Sequence, residues 1–220
     1  MIQNPDLTHE RNLWPYYRHI AGLDEAGRGA LAGPVAVGAV ILPADDPLLP
    51  RALEGARDSK QMTPLERESL EPRIKKTALS WCVAFASAEE IDHLGIVPAT
   101  RLAGLRALEG LAIFPGYLLT DFRLELPQLD LPQTALVKGD ALCLSIAAAS
   151  ILAKTTRDAL MREMDAQYRG YGLGKHKGYG TRSHRLAMEQ LGLSPIHRKT
   201  FQVKEFQLPQ MIIPKPIPKG

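Results

Sequence analysis

The sequence predicts an α/β fold, a mixed central sheet flanked by helices and followed by a helical C-terminal part. Apolar runs of strand length come early, the strongest helix-forming stretches come late, and helical crossovers stand between strands. The 220 residues are 45% hydrophobic and 23% charged with a net charge of +3, the balance of an ordinary globular protein. That length fits one large domain or a domain with an appendage. Mild basicity suits a polyanionic partner, but many proteins without one share it.

Residues 1–18 read as an irregular N-terminal extension. A strand follows through Ile20-Ala21-Gly22-Leu23-Asp24, then a glycine-broken turn, Ala26-Gly27-Arg28-Gly29. Val35 to Leu42 is an apolar run bounded by Pro34 and Pro43, as a buried strand should be. Thr63, Pro64 and Glu66 mark a helix start, as N-cap, first helical position and capping-box partner. Residues 79–87 alternate imperfectly and read as a strand; a helix follows from Pro98 to Leu111, then a strand from Tyr117 to Asp121. Phe122 to Gln133 is irregular, with Pro127 and Pro132, and Thr134 to Val137 is a short strand. From Ala141 to Gln167 the chain is helical, rich in Ala, Leu, Ile and Met. A basic, glycine-rich loop spans Gly170 to Gly180, and another helix begins near Thr181. The expected organisation is an extension over 1–18, a main domain over 19–207 and a proline-rich tail over 208–220.

Cys82 and Cys143 lie far apart, each in an apolar stretch, so neither a disulfide framework nor a cysteine zinc site is read from them. Buried reduced thiols agree with a reducing compartment. The polar start MIQNPDLTHERNLWPYY has no apolar signal region, and the most apolar run, Ala30 to Leu42, is too short to span a membrane. The expectation is a cytoplasmic, monomeric protein with no membrane segment.

Three carboxylate positions carry candidate chemistry. Asp24-Glu25 ends an apolar strand directly before Gly27-Arg28-Gly29. Adjacent carboxylates raise each other's pKa unless a cation intervenes, and oxygen-rich sites for Mg²⁺ or Mn²⁺ supply one. Successive strand residues point to opposite faces, so both reach one site only if the strand ends or bulges there. A solvated pair at a strand terminus is the equally ready alternative. Asp121 closes the apolar run Tyr117 to Thr120, at the carboxyl end of a strand where α/β proteins place active sites; an Asp capping a turn is as common. Asp140 opens the long helix, where an N-cap role alone would explain it. Asp158 competes with it. On a continuous helix the two would lie on one face about 27 Å apart, too far to share a metal pair, and Lys154 offers Asp158 a surface partner. Asp140 is therefore preferred.

Around these acids, Arg28 between two glycines is suited to phosphate or sugar contacts. Lys60, Lys175, His176 and Lys177 add positive charge, and Tyr179 offers a ring for stacking. A flexible solvated loop is the alternative. The glycine turn lacks the Gly-Lys-Ser/Thr ending of a Walker loop, and no nucleophile elbow or zinc-protease helix motif is present.

These blocks together resemble the ribonuclease HII family. Gly22-Leu23-Asp24-Glu25-Ala26-Gly27-Arg28-Gly29 with Leu31-Ala32-Gly33-Pro34 looks like its opening signature. Asp58-Ser59-Lys60, Lys138-Gly139-Asp140, the run Ser145 to Lys154, Thr156-Arg157-Asp158, His176 to Thr181 with His184, and Ser194 to Arg198 follow in family order. The resemblance implies a ribonuclease H-like fold. It implies four catalytic, metal-holding acids, Asp24, Glu25, Asp121 and Asp140, binding two Mg²⁺ or Mn²⁺ ions. It further implies that Gly27, Arg28, Gly29 and Tyr179 recognise the junction where a ribonucleotide meets DNA, and that Lys60 contacts phosphate. The expected partners are RNA/DNA hybrid and ribonucleotide-containing duplex DNA. The expected reaction is two-metal hydrolysis 5′ of a ribonucleotide, leaving 5′-phosphate and 3′-hydroxyl ends. After the third acid the family usually has a small residue; here it is Phe122. A non-catalytic nucleic-acid binder on the same fold is the competing reading, and a phosphohydrolase of small molecules a third.

Overall fold

The computed structural model describes residues 4–44 and 46–201, so the proline-rich tail and the expected boundary at 207 lie outside the described residues. In chain order the elements are α1 (Thr8–Leu13), β1 (Ile20–Ala26), β2 (Val35–Ile41), α2 (Leu49–Ala52), a 3-10 turn (Ser59–Gln61), α3 (Pro64–Thr77), β3 (Ser80–Ala86), α4 (Ala88–Leu94) and α5 (Ile96–Glu109). There follow β4 (Tyr117–Asp121), β5 (Gln133–Leu136), α6 (Gly139–Leu142), α7 (Leu144–Gln167), α8 (Leu173–His176) and α9 (Arg182–Leu191). The five strands form one sheet in the order β3-β2-β1-β4-β5. Strands β3, β2 and β1 pair antiparallel, while β1, β4 and β5 pair parallel. The expected mixed sheet with flanking helices is what the chain forms. Among the described residues no helix is long and apolar enough to cross a membrane.

Alternation on the central strands decides what covers each face. Ala21 and Leu23 of β1 with Val35, Val37, Ala39 and Ile41 of β2 pack against Ala99, Ala103, Ala107 and Leu108 of α5. On the opposite face Val40 packs against Ala148, Ala149, Ile151 and Leu152 of α7. That helix crosses the sheet at backbone contact. A Cβ on Gly22 would stand 2.3 Å from the carbonyl carbon of Ser145, and one on Gly38 would stand 2.4 Å from the Ala149 oxygen. Gly22 lies two residues before Asp24 on the same face, and Gly38 is the register partner of Asp24. The glycines thus let the α7 backbone come down beside the first acid.

Several local expectations are corrected. Residues 1–18 are not irregular throughout, because α1 forms and buries Glu10. Glu10 Oε1 accepts from the Ser145 amide at 2.8 Å and from Cys143 Sγ at 3.0 Å. The N-cap residue of α7, Cys143, makes no side-chain cap bond of its own. A carboxylate from 135 residues away therefore satisfies a free amide at the positive end of α7. The helix expected to run unbroken from Ala141 is interrupted at Cys143, which is extended (φ −121, ψ 125). There the amide of Leu144 bonds the Asp6 carbonyl and the amide of Asp6 bonds that of Leu142. Asp140 accordingly is no N-cap; it lies in the first turn of α6 behind Lys138, a left-handed residue (φ 57).

The helix expected from Pro98 is preceded by α4, which starts at a Ser87/Glu90 capping box, and Gly95 (φ 83) separates α4 from α5. The 170–180 loop contains α8. Both cysteines are free; Cys143 is buried and Cys82 half-buried.

Candidate active site

The sheet opens where the acids stand. The β1–β4 ladder ends at Leu23 opposite Thr120, while β1 stays paired with β2 as far as Ala26. The strand end required for Asp24 and Glu25 to share a site therefore exists on one edge only. One carboxylate oxygen from each of Asp24, Glu25 and Asp121 lies within 4.8 Å of the others. Asp121 ends β4, and its Oδ1 accepts from the Gly139 amide at 3.0 Å, tying the start of α6 to the end of β4. That bond brings up Asp140, which is buried and within electrostatic reach of Asp24 and Asp121 but outside the set of three converging oxygens.

These carboxylates are held under tension. Asp24 is 2% exposed. Its Oδ1 accepts from the Glu25 amide at 2.8 Å, while its Oδ2 and Glu25 Oε2 are buried with no hydrogen-bond partner. Burial, then the charges of Glu25, Asp121 and Asp140, push the Asp24 carboxyl well above its ordinary range. Burial also raises Glu25, with Asp121 adding to the rise and Arg28 and Lys60 opposing it. Asp140 is pushed up to about 6 by burial and by Asp58 and Asp121. Partial burial pulls the Lys60 ammonium down, but Asp24, Asp140, Asp58 and Glu25 outweigh it and leave its pKa raised. Arg28 Nη1 stands 3.7 Å from Glu25 Oε1, a loose pair. Two orphaned oxygens among like charges, with no sulfur or imidazole donor beside them, fit a hard divalent cation that takes oxygen ligands.

The Asp58-Ser59-Lys60 block is anchored to α7. Ser59 Oγ meets Ser150 Oγ at 2.8 Å, and Arg67 of α3 donates to the carbonyls of Ser59 and Met62 at 2.8 and 2.6 Å. The same Arg67 pairs with Asp158 at 3.3 Å, and Lys154 reaches Asp158 at 2.8 Å. Asp158 is therefore no surface residue: it is 6% exposed and holds the arginine that holds Lys60's turn. Asp58, not singled out in the sequence as an acid of the site, perturbs Asp140. Its side chain also caps the turn, accepting from the Lys60 amide at 2.9 Å.

Two buried arginines hold the glycine turn and the segment that follows it. Arg198 donates to the carbonyls of Gly27, Arg28 and Gly33 at 2.7, 2.8 and 3.0 Å. Arg157, 0% exposed, donates to the carbonyls of Pro34, Lys177 and Ala32 at 2.8, 3.0 and 3.2 Å. Gly27 (φ +86) lies so close that a Cβ there would stand 1.9 Å from Arg157 Nε. By contrast, a Cβ on exposed Gly29 would meet nothing within 4 Å. The Gly178 carbonyl accepts from the amides of Leu31 and Ala32, stitching the second loop to the first. Tyr179 next to it is half-buried, its ring centre 5.4 Å from Lys154 Nζ and 5.6 Å from Arg157 Cζ. His176, expected among the basic residues of this loop, is instead buried, and both its ring nitrogens bond backbone groups. The structure thus brings Asp24, Glu25, Asp121, Asp140 and Lys60 into one electrostatic cluster, with Arg28 at its edge and Tyr179 joined through Gly178. Arg157 and Arg198 stood in the sequence blocks without a role, since a carbonyl-binding arginine leaves no pattern.

Comparison with known proteins agrees with this geometry. The sequence profile of the family described as ribonuclease HII matches residues 21–204. A ribonuclease HII of Desulfitobacterium hafniense (strain Y51) is 51% identical over 203 residues, covering 92% of this chain and 76% of the relative. The crystal structure of ribonuclease H2 from Pyrococcus horikoshii OT3 superposes with a TM-score of 0.69 at 28% identity, covering 84% of this chain and 94% of that one. The ribonuclease HII of Archaeoglobus fulgidus, solved in complex with PCNA, gives 0.71 at 25% identity over 86% of this chain and 98% of that one. Profile, sequence and fold agree over most of the chain: it belongs to the ribonuclease HII family and is a metal-dependent ribonuclease.

Proposed function

We propose that this chain, an endonuclease of the RNA strand of RNA/DNA hybrids, also cuts 5′ of single ribonucleotides embedded in duplex DNA. The observation that carries the reading is the convergence of Asp24, Glu25 and Asp121 with two buried oxygens left without partners. Asp24, Glu25, Asp121 and Asp140 would hold two Mn²⁺ or Mg²⁺ ions. Bound there, such ions supply a water nucleophile at neutral pH and neutralise charge on the leaving oxygen, giving 5′-phosphate and 3′-hydroxyl ends.

The remaining residues bind and orient substrate. Lys60, on a turn anchored to α7, meets a backbone phosphate without losing its proton, since the neighbouring acids raise its pKa. Gly29 leaves its stretch of turn open to a sugar–phosphate backbone, because nothing in the protein occupies the place of its side chain. Gly27 and Arg28 complete that turn around the 2′-hydroxyl, the only chemical mark of one ribonucleotide among deoxyribonucleotides. The Tyr179 ring stacks on the sugar beside it. The catalytic unit is taken as residues 19–207, acting as a cytoplasmic monomer.

The test is cleavage of an end-labelled DNA duplex carrying one ribonucleotide, in Mg²⁺, in Mn²⁺ and in EDTA. A metal-dependent cut on its 5′ side is expected. No cut with a folded protein, but retained hybrid binding, would make the chain a binder. Asp24→Asn should abolish cleavage and spare binding. Tyr179→Ala should reduce cutting at a single ribonucleotide more than cutting of long hybrids; equal losses would end the stacking role.

A further inference from the structure

Outside the acidic site, His176, His184 and His197 form a cluster with no carboxylate in it. His176 and His184 stack at 4.3 Å with 23° between their planes, and His184 lies 5.3 Å from His197. All three rings are enclosed. Their hydrogen bonds fix the position of each proton. The Tyr179 carbonyl can only accept, so at 3.0 Å it receives a hydrogen bond from a protonated His184 Nδ1. His184 Nε2 is then the acceptor in its 3.1 Å contact with His197 Nε2, which must donate. His197 Nδ1 accepts from the Ser194 amide at 3.0 Å, with the Ser194 hydroxyl at 2.8 Å, in agreement with that assignment. His176 obeys the same logic: Nε2 donates to the Tyr171 carbonyl at 2.8 Å and Nδ1 accepts from the Gly178 amide at 3.3 Å.

We infer that His184 and His197 are positioning residues for ribonucleotide selectivity. A one-directional chain, from Ser194 N–H through His197 and His184 to the Tyr179 carbonyl, sets where the Tyr179 ring stands. The proposal rests on the reading that Tyr179 senses the ribonucleotide junction. The backbone on either side of the tyrosine is held as well. The amide of Thr181 shares the Tyr179 carbonyl at 2.8 Å, and Gly178 is bonded both to His176 and to the loop after the glycine turn. Neither end of the chain tolerates another proton, because each acceptor nitrogen faces an N–H group. The rings are kept neutral: burial first, then neighbouring His176, lowers His184 to about 4, and burial lowers His197. An imidazole is suited to this task because it transmits a hydrogen bond rigidly from one side of a ring to the other, a function a flexible side chain lacks.

Two measurements test this. In the wild-type protein, long-range proton–nitrogen NMR of the imidazoles should show His184 with its proton on Nδ1, and His176 and His197 with theirs on Nε2, at neutral pH. His184 protonated on Nε2 would overturn the chain without any variant having to fold. The second measurement is the ratio of cleavage rates on a duplex with one ribonucleotide and on a long RNA/DNA hybrid. His184→Asn keeps a donor at the Nδ1 position but loses the acceptor that His197 meets, so it should retain more of that ratio than His184→Gln does. His184→Gln moves the amide to the Nε2 position and should lower the ratio roughly tenfold, the worth of one buried hydrogen bond. An unchanged ratio in His184→Gln, or equal losses on both substrates, would overturn the positioning role. If Tyr179→Ala shifts the ratio and His184→Gln does not, the chain fails while the tyrosine keeps its role; if Tyr179→Ala leaves it unchanged, both fail.

Discussion

Removing the charge of Asp24 should make the metal-free protein more stable while destroying its activity. Asp24 is 2% exposed, one of its oxygens has no partner, and Glu25, Asp121 and Asp140 all raise its pKa. In Asp24→Asn the shape is kept, the like-charge repulsion is relieved, and the new amide donates toward neighbouring carboxylates. A buried polar group without its partner costs about 1–3 kcal/mol, more when charged. For a domain of this size each kcal/mol moves the melting temperature by roughly 2–4 °C. The variant should therefore melt about 3–10 °C above wild type in EDTA. Scanning calorimetry with and without Mn²⁺ is the assay. Wild type should gain about 2.7 kcal/mol when the ion is present at a hundred times its dissociation constant, and the variant much less, so the order of melting reverses. A variant that melts below wild type in EDTA would refute the reasoning. The carboxylate would then be satisfied by the protein alone, and the argument that these acids require a cation would fail.

The acids also give the metal-free protein an inverted pH response. Asp140 is raised from 3.8 to about 6, so the folded state binds more protons than the unfolded chain between those values. Stability should fall as pH rises from about 4 through about 6, with Asp24 and Glu25 shifted in the same direction, and melts in EDTA from roughly pH 4 to 7 should show the decline. Gly38→Ala would place a methyl group 2.4 Å from the Ala149 oxygen and should cost about 1–3 kcal/mol or more in urea unfolding. Gly29→Ala, with nothing within 4 Å, should be neutral in the same experiment and lose cleavage if the turn backbone meets substrate. Arg157→Lys cannot reach three carbonyls with one compact ammonium. It should lose about 2–4 kcal/mol by denaturant unfolding, with single-ribonucleotide cutting falling further than hybrid cutting.

Features written locally were legible in the sequence. The α3 start was readable because Thr63, Pro64 and Glu66 satisfy each other within one turn. The strands β1, β2 and β4 were readable as short apolar runs with marked ends. The α4 start carries the same signal, Ser87 with Glu90, on a helix only seven residues long. What depends on distant partners was not legible. The break at Cys143 lies in a stretch of uniformly high helix propensity and is imposed by residues near Asp6. α1 is short for an isolated helix, and it is Glu10, reaching Ser145, that ties it to the rest. Asp158 looked solvated because Lys154 was a sufficient partner along the helix, while Arg67 arrives from 91 residues earlier. At the site, the four metal-holding candidates came from motifs, but the opening that lets adjacent Asp24 and Glu25 face one place comes from where the β4 ladder stops.

The grip of Arg198 on Gly27 and Arg28 has a consequence for how the protein comes into being. The acids are complete once residue 140 has been made, yet the turn beside them receives its clasp only from residue 198. Between them in sequence comes α7, whose backbone packs on Gly22 and Gly38 beside the first acid, so the site takes shape from its floor upward and the clasp on its rim is the last part to be synthesised.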